Sequence, residues 1–191
     1  MNPDIVGAFV SHRDTMRLPV IGFRKVFDYL KDLFPDNKEL IENVVIYKNS
    51  NIAFSSKMGL EGVAGLYLPS LNSVFILYSK NFTDDEVLVH EVLHYLSKAF
   101  GSSMIAASAE EVFAYKKSVE YLRKNGRSEE FIIGKYLLPF FLEMEMKKGK
   151  SYNRAEEDAR REAKCLLSEE FLLENRKEEA DSDDTSRFED L

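Results

Sequence analysis

The segment from Val87 to Leu96 constrains the fold more than any other part of the chain. On a helix its residues are apolar on every side, apart from His90, Glu91 and His94. A helix that is hydrophobic all round is normally buried, and burying polar groups without partners costs several kcal/mol. The chain must therefore fold around this helix and must supply partners for its three polar side chains.

Local signals indicate where this helix begins and ends. Thr83 and Glu86 form a capping-box pattern, in which each side chain bonds to the backbone N–H of the other residue. Gly101 is a suitable residue for the left-handed position that follows a helix. We therefore predict a helix that begins at about Asp84 and ends near Gly101.

The spacing of the three polar residues indicates a metal site. His90 and His94 are four residues apart, so a helix places both imidazoles on one face, within reach of one cation. Glu91 lies about 100° round the helix from His90, beside a water molecule on the metal but outside its ligand set. Zinc would polarise a carbonyl group and lower the pKa of water from about 16 toward about 7. We predict bound Zn²⁺, with Glu91 as the general base that passes the proton to the leaving amine.

A catalytic zinc site needs a third protein ligand and keeps one position open for water. Cys165 is the only cysteine and His12 the only other histidine, so a carboxylate is the natural candidate. The nearest carboxylates after the motif are Glu110 and Glu111, at the start of a helix predicted from about Ala109 to Lys124. The third ligand is therefore expected from this helix.

Helical geometry favours Glu111 over Glu110. Glu111 shares a face with Tyr115 on the side of the helix that we expect to turn inward, whereas Glu110 shares a face with Lys117 and looks outward. Glu110 remains an alternative ligand. A second alternative is structural, because Ser108 and Glu111 also match a capping box, in which Glu111 would bond to the backbone of Ser108.

The motif His90-Glu91-Val92-Leu93-His94, followed by Glu111-Val112-Phe113-Ala114-Tyr115, resembles the gluzincin metallopeptidases. The resemblance covers roughly residues 44–122, and the order of elements is also similar to that of the smaller IrrE-like peptidases. It implies peptide-bond hydrolysis, with a glutamate of the next helix as the third zinc ligand, here Glu111. It also implies an antiparallel strand pair before the motif helix, with an edge strand within residues 62–78 that holds an extended substrate by strand addition.

The same resemblance implies a Tyr or His that stabilises the oxyanion formed during hydrolysis. Tyr115, Tyr121, Tyr136 and His12 are candidates. Spacing does not single out any one of the four, and core packing is an alternative role for the tyrosines.

The flanking segments predict an α+β fold. Apolar residues at helical spacing predict a helix over residues 20–34, which Pro35 terminates. Segments 44–47 and 52–54 read as two strands joined by a turn, and segments 63–68 and 74–78 read as a second strand pair. We therefore expect a small, mostly antiparallel sheet packed on the motif helix, followed by a mainly helical C-terminal half.

Three regions are predicted along the chain. Residues 1–150 would form a zincin-like metallopeptidase domain, which ends in a helical stretch from Ser128 to about Lys147 with interruptions at Gly134 and Pro139. Residues 151–179 would form a charged helix, and residues 180–191 an acidic disordered tail. The charged helix carries a thin apolar stripe, which consists of Ala155, Ala159, Ala163, Leu166 and Leu167.

Composition excludes several classes of partner and location. The formal net charge is −7 and the basic residues are scattered, so we expect no direct binding of nucleic acid. The uncharged stretch 62–79 is interrupted by Pro69 and Asn72, which argues against a membrane span. The start of the chain lacks the pattern of a secretory signal, and the single Cys165 fits a reducing compartment, so we expect a cytoplasmic protein.

Two main functions are consistent with these observations. The first is an active zinc metallopeptidase that cleaves a peptide or protein substrate. The alternative is a catalytically inactive regulatory or binding protein that retains a zincin fold. Glu91 favours the first, because a purely structural zinc site does not need it. A third interpretation, a helical interaction module built on residues 128–173, would require an exposed apolar stripe there.

Overall fold

The chain forms an α+β structure in the computed structural model, which describes residues 3–99 and 107–185. The predicted fold class is confirmed, with one small sheet and a helical C-terminal half. Packing divides the chain into two compact units, residues 1–121 and residues 122–191.

The strands are β1 (Met16–Leu18), β2 (Val45–Asn49), β3 (Gly65–Leu68) and β4 (Ser73–Leu77). The helices of the first unit are α1 (Pro3–Ser11), α2 (Arg24–Leu33), α3 (Lys38–Glu42), α4 (Ile52–Lys57), α5 (Asp84–Ala99) and most of α6 (Ala107–Lys124).

The sheet is mixed, with the strand order β1-β2-β4-β3. Both outer pairs, β1 with β2 and β3 with β4, are antiparallel, whereas the central pair, β2 with β4, is parallel. A parallel pair needs a crossover connection, here the segment that contains α4 and β3. Strands β1 and β3 are therefore the two edges of the sheet.

One predicted strand is wrong. Residues 52–54 lie in α4, where the Asn51 side chain accepts a hydrogen bond from the Phe54 N–H at 3.0 Å. Asparagine is a strong N-cap residue, and an apolar run of three residues does not by itself distinguish a strand from a helix. Strand β1 was not predicted, because a three-residue strand carries too short a pattern to recognise.

Each face of the sheet covers a separate hydrophobic core. Ile46, Val74 and Ile76 point to one face and pack with the apolar residues of α2 and α5. Phe75 and Leu77 point to the other face and form a cluster with Phe9 of α1 and Phe54 of α4. This alternation follows the period of two residues in a strand. Strand β4 is consequently buried along its whole length, and α5 is buried against its first face.

Helix α5 begins as predicted. The Thr83 N–H donates to the Glu86 carboxylate at 2.8 Å, and the Glu86 N–H donates to the Thr83 hydroxyl oxygen at 3.4 Å. The helix is described as far as Ala99. The predicted end near Gly101 lies outside the described residues.

The second unit contains the last turn of α6 and further helical segments, of which the first three follow one another without a break. These further segments are α7 (Glu129–Phe131), a π-helix (Ile132–Leu137), α8 (Leu138–Lys147) and α9 (Tyr152–Thr185). The wide π turn lies where Gly134 and Pro139 predicted an interruption, because a proline lacks an N–H and crowds the preceding turn.

The apolar stripe predicted on α9 is buried against the rest of this unit. Helix α9 runs to Thr185, so helix continues into the predicted tail, and residues 186–191 lie outside the described part of the chain. The predicted domain boundaries and the disorder of the tail stay predictions. Within the described residues, none of the helices combines the length and the apolar character that a bilayer crossing requires.

Candidate metal centre

The middle of α5 carries the three polar residues of the motif into the protein interior. Glu91 is 7% exposed and His94 is 9% exposed, while His90 is half-buried. Their neighbours Val92 and Leu93 are completely buried in the core between α5 and the sheet. The apolar surroundings that were predicted for these side chains are therefore present.

Three side chains bring one ligand atom each to a common point. The Nε2 atoms of His90 and His94 lie 3.1 Å apart. The Oε2 atom of Glu111, on α6, lies 3.7 Å from the first of these nitrogens and 3.5 Å from the second. The structure thus groups the three residues that the sequence assigned as metal ligands.

The size and chemistry of this group fit a zinc ion. Zinc binds imidazole nitrogen and carboxylate oxygen at about 2.0–2.2 Å, which places neighbouring ligands of a tetrahedral site about 3.3–3.6 Å apart. The three measured separations, 3.1, 3.5 and 3.7 Å, are close to that range. Two histidines and one glutamate also form a known donor set of catalytic zinc sites.

The carboxyl group of Glu111 is held in its ionised form. Burial by itself would raise its pKa, but hydrogen bonds and charge from His90 and His94 outweigh burial and lower the pKa well below its usual range. An ionised carboxylate is the form that binds a metal. The alternative capping role of Glu111 would require Ser108 to be the N-cap residue of α6. Helix α6 already includes Ser108, so Ser108 lies within the helix.

Glu110 contacts the other side of His94. Its Oε1 atom lies 3.2 Å from Nδ1 of His94, and the Ser97 hydroxyl lies 3.0 Å from the same oxygen. A carboxylate on the outer nitrogen of a histidine fixes the orientation and the tautomer of the ring, so that Nε2 is free to bind a metal. Between the two candidates, the structure places Glu111 with the Nε2 atoms and Glu110 behind His94. The predicted outward position of Glu110 is wrong: its side chain is 19% exposed, against 41% for Glu111, because it turns toward His94 and Ser97.

The side chain of Glu91 lies between α5 and the edge strand β3. Burial raises the pKa of its carboxyl group, although the nearby His90 and His94 and a hydrogen bond from the Tyr67 backbone N–H act in the opposite direction. A raised pKa makes a carboxylate a better proton acceptor near neutral pH. Its position beside the imidazole pair agrees with the predicted role of a base.

Comparisons with family models, curated proteins and solved structures found no match. The similarity to gluzincins therefore stays a prediction from the motif residues.

The four candidates for oxyanion stabilisation lie in different places. The Tyr115 ring packs on the His90 ring, with 4.7 Å between centroids. Tyr121 is buried and bonds to Asp85, and the His12 ring lies against Phe54 in the cluster on the opposite face of the sheet. Tyr136 belongs to the second unit. Tyr115 is thus the candidate with a direct contact to a predicted ligand.

Three contributors to the site were not predicted from the sequence. Ser97 follows His94 by three residues, a helical spacing that sequence reasoning could have used. Gly65 and Tyr67 reach Glu91 from β3. Their proximity depends on how the sheet packs on α5, and local sequence carries no signal for it.

Proposed function

We propose that this protein is a zinc-dependent metallopeptidase that hydrolyses peptide bonds of a peptide or protein substrate. The observation that carries the proposal is the grouping of His90, His94 and Glu111 around one point, with the buried Glu91 beside them. A purely structural zinc site does not use a base such as Glu91. A hydrolase needs a base at this position.

His90, His94 and Glu111 would hold the zinc ion, and Glu110 would keep the His94 ring in place. The ion would supply Lewis-acid chemistry and would lower the pKa of water from about 16 toward about 7. These three ligands leave the open fourth position that distinguishes a catalytic zinc site from a closed structural one.

Glu91 would accept the proton of the attacking water and deliver it to the leaving amine. Its burial favours this role, because desolvation makes the carboxylate a stronger base than it would be in water. The apolar side chains around it also limit the access of bulk water, which would compete for the proton.

The outer edge of β3 would bind the substrate in an extended conformation. The Ala64 carbonyl accepts a hydrogen bond from the Leu77 N–H at 2.8 Å, so this pair forms ladder bonds between the strands. In an antiparallel pair the next residue along points its N–H and C=O groups outward, so Gly65 offers both groups and Tyr67 offers its C=O, because the Tyr67 N–H is directed at Glu91. An extended peptide could add to these outward groups.

A cytoplasmic location belongs to the same proposal, because the lone Cys165 fits a reducing compartment.

The proposal is tested by peptide-library cleavage and zinc content of the wild type and of Glu91→Gln. We expect the wild type to bind one zinc and to cleave, and Glu91→Gln to retain zinc with cleavage reduced by about a hundredfold or more. Glu39→Gln, an exposed glutamate of α3, is the matched control and should cleave like the wild type. Stoichiometric zinc with no cleavage by the wild type would instead favour an inactive regulatory or binding protein.

A further inference from the structure

Strand β3 passes unusually close to the side chain of Glu91. A Cβ atom added to Gly65 would lie 2.8 Å from Cγ and 2.9 Å from Oε1 of Glu91, and 2.4 Å from Cγ1 of Val87. Such separations are shorter than van der Waals contact, so the strand can approach α5 this closely only because residue 65 has no side chain.

The backbone of the same strand also faces Glu91. Tyr67 lies two residues from Gly65, and its N–H points away from β4, toward the outer edge of β3. This N–H acts on the Glu91 carboxylate and lowers its pKa, against the effect of burial. The Glu91 side chain therefore occupies the space that Gly65 leaves, beside the backbone of β3.

We propose that β3 positions the general base, with Gly65 as a positioning residue for hydrolysis. This inference rests on the proposed function, because it assigns a role to Gly65 in the same reaction. Because Gly65 has no side chain, the Glu91 carboxylate can stay beside the His90 and His94 pair, and a larger residue at this position would push it away.

A positioning role follows from the flexibility of glutamate. Its side chain has three rotatable bonds, and a general base must come within about 2.6–3.2 Å of the proton that it accepts. A displacement of about 1 Å at a reacting centre can reduce the rate about a hundredfold. A methyl group at residue 65 would be expected to produce a displacement of this size, because it overlaps the Glu91 Cγ atom.

The test compares Gly65→Ala, Val87→Ala and the double variant Gly65→Ala/Val87→Ala. Val87→Ala removes the overlap with Val87 and leaves the overlap with Glu91, so it separates a folding defect from a displaced base. We expect Gly65→Ala to lower Tm and to reduce kcat about a hundredfold with zinc retained. In the double variant Tm should return toward that of Val87→Ala, whereas kcat should stay low and KM should change little.

Gly22→Ala is the control for a glycine replacement, because its Cβ would meet open space. It should cleave like the wild type. A double variant that cleaves as fast as Val87→Ala would overturn the inference and leave the proposed function standing. A crystal structure of the double variant with Glu91 in its original position would overturn the inference whatever the activity. A wild type without zinc or cleavage would overturn the proposed function and this inference with it.

Discussion

The two units of the chain bury carboxylates in different ways. In the first unit, Glu91 is 7% exposed and its neighbours are imidazoles and a backbone N–H. In the second, Glu145 is 0% exposed and Asp158 is 2% exposed. Lys150 bonds to both of these and lies 2.8 Å from the Asp158 carboxylate, and Lys148 also bonds to Glu145.

The pKa values reflect this difference. Burial raises the pKa of Glu91, whereas hydrogen bonds from Lys148 and Lys150 lower the pKa of Glu145, and a hydrogen bond from Lys150 lowers that of Asp158. The second unit thus neutralises its buried acids with its own cations, and these ion pairs join α8 to α9.

The site of the first unit contains Glu91, Glu110 and Glu111 around the imidazoles of His90 and His94. A divalent cation would offset two of these three negative charges. Burial alone therefore does not identify a functional carboxylate. The partners, which are lysines in the second unit and imidazoles in the first, distinguish the two cases.

The largest expected effect is that of Glu111→Ala on zinc affinity. Structural zinc is bound with an apparent free energy of about 10–16 kcal/mol shared among about four ligands, so the loss of one ligand should weaken binding about a hundredfold to a thousandfold. Competition with a chromophoric chelator measures the affinity. If Glu110→Ala weakened zinc binding more than Glu111→Ala, the roles of the two residues would be exchanged.

Glu110→Gln should have a smaller effect on the same affinity. The carboxylate contacts the outer nitrogen of His94, and the loss of such a partner typically weakens metal binding about tenfold to a hundredfold. Ser97→Ala removes only a neighbour of this carboxylate and should weaken binding less than Glu110→Gln. Isothermal titration of the two variants and the wild type gives the ranking, and equal affinities of all three would exclude an orienting role.

Part of this site could be predicted from the sequence because it depends on one helix. The capping box indicated the start of α5, and helical spacing predicted that the imidazoles of His90 and His94 lie together. The helix faces also selected Glu111, although the outward position that they predicted for Glu110 is wrong, because the Glu110 side chain is less exposed than that of Glu111 and bonds to His94. Local geometry was sufficient for the start of α5 and for the pairing of the two histidines.

Other features depend on contacts between distant segments. The parallel pairing of β2 with β4 and the approach of Gly65 to Glu91 arise from packing, which periodicity does not encode. The helical state of residues 52–54 was missed because a short apolar run fits either state. In the second unit, the apolar stripe predicted α9. The ion pairs of Lys150 with Glu145 of α8 and Asp158 of α9 were not predicted.

Glu145→Gln should lower the thermal stability of the protein without a change in zinc affinity. The substitution removes the negative charge that pairs with Lys148 and Lys150, so these two lysines lose their ion pairs with residue 145. The residues of the metal site all belong to the first unit. Calorimetry and zinc titration of the same sample measure both properties. Loss of zinc binding together with stability would show that the two regions are coupled.

Acid should destabilise the second unit through the same carboxylates. Glu145 and Asp158 have lowered pKa values in the folded protein, so their contribution to stability is complete above the ordinary pKa of about 4 and is lost as the pH falls toward the folded values. Circular dichroism during urea unfolding at pH 7, 5 and 3 should show the loss between the last two conditions. Glu145→Gln should reduce this dependence on pH, and an unchanged dependence in the variant would contradict the assignment.

The most direct test of the account is the zinc content of the protein, measured by native mass spectrometry after purification without chelators. The wild type should carry one zinc ion per chain. The variant His90→Ala/His94→Ala should remain folded by circular dichroism and carry none, because it lacks both nitrogen ligands. A wild type without stoichiometric zinc, or a folded double variant that retains it, would contradict the proposed metal centre.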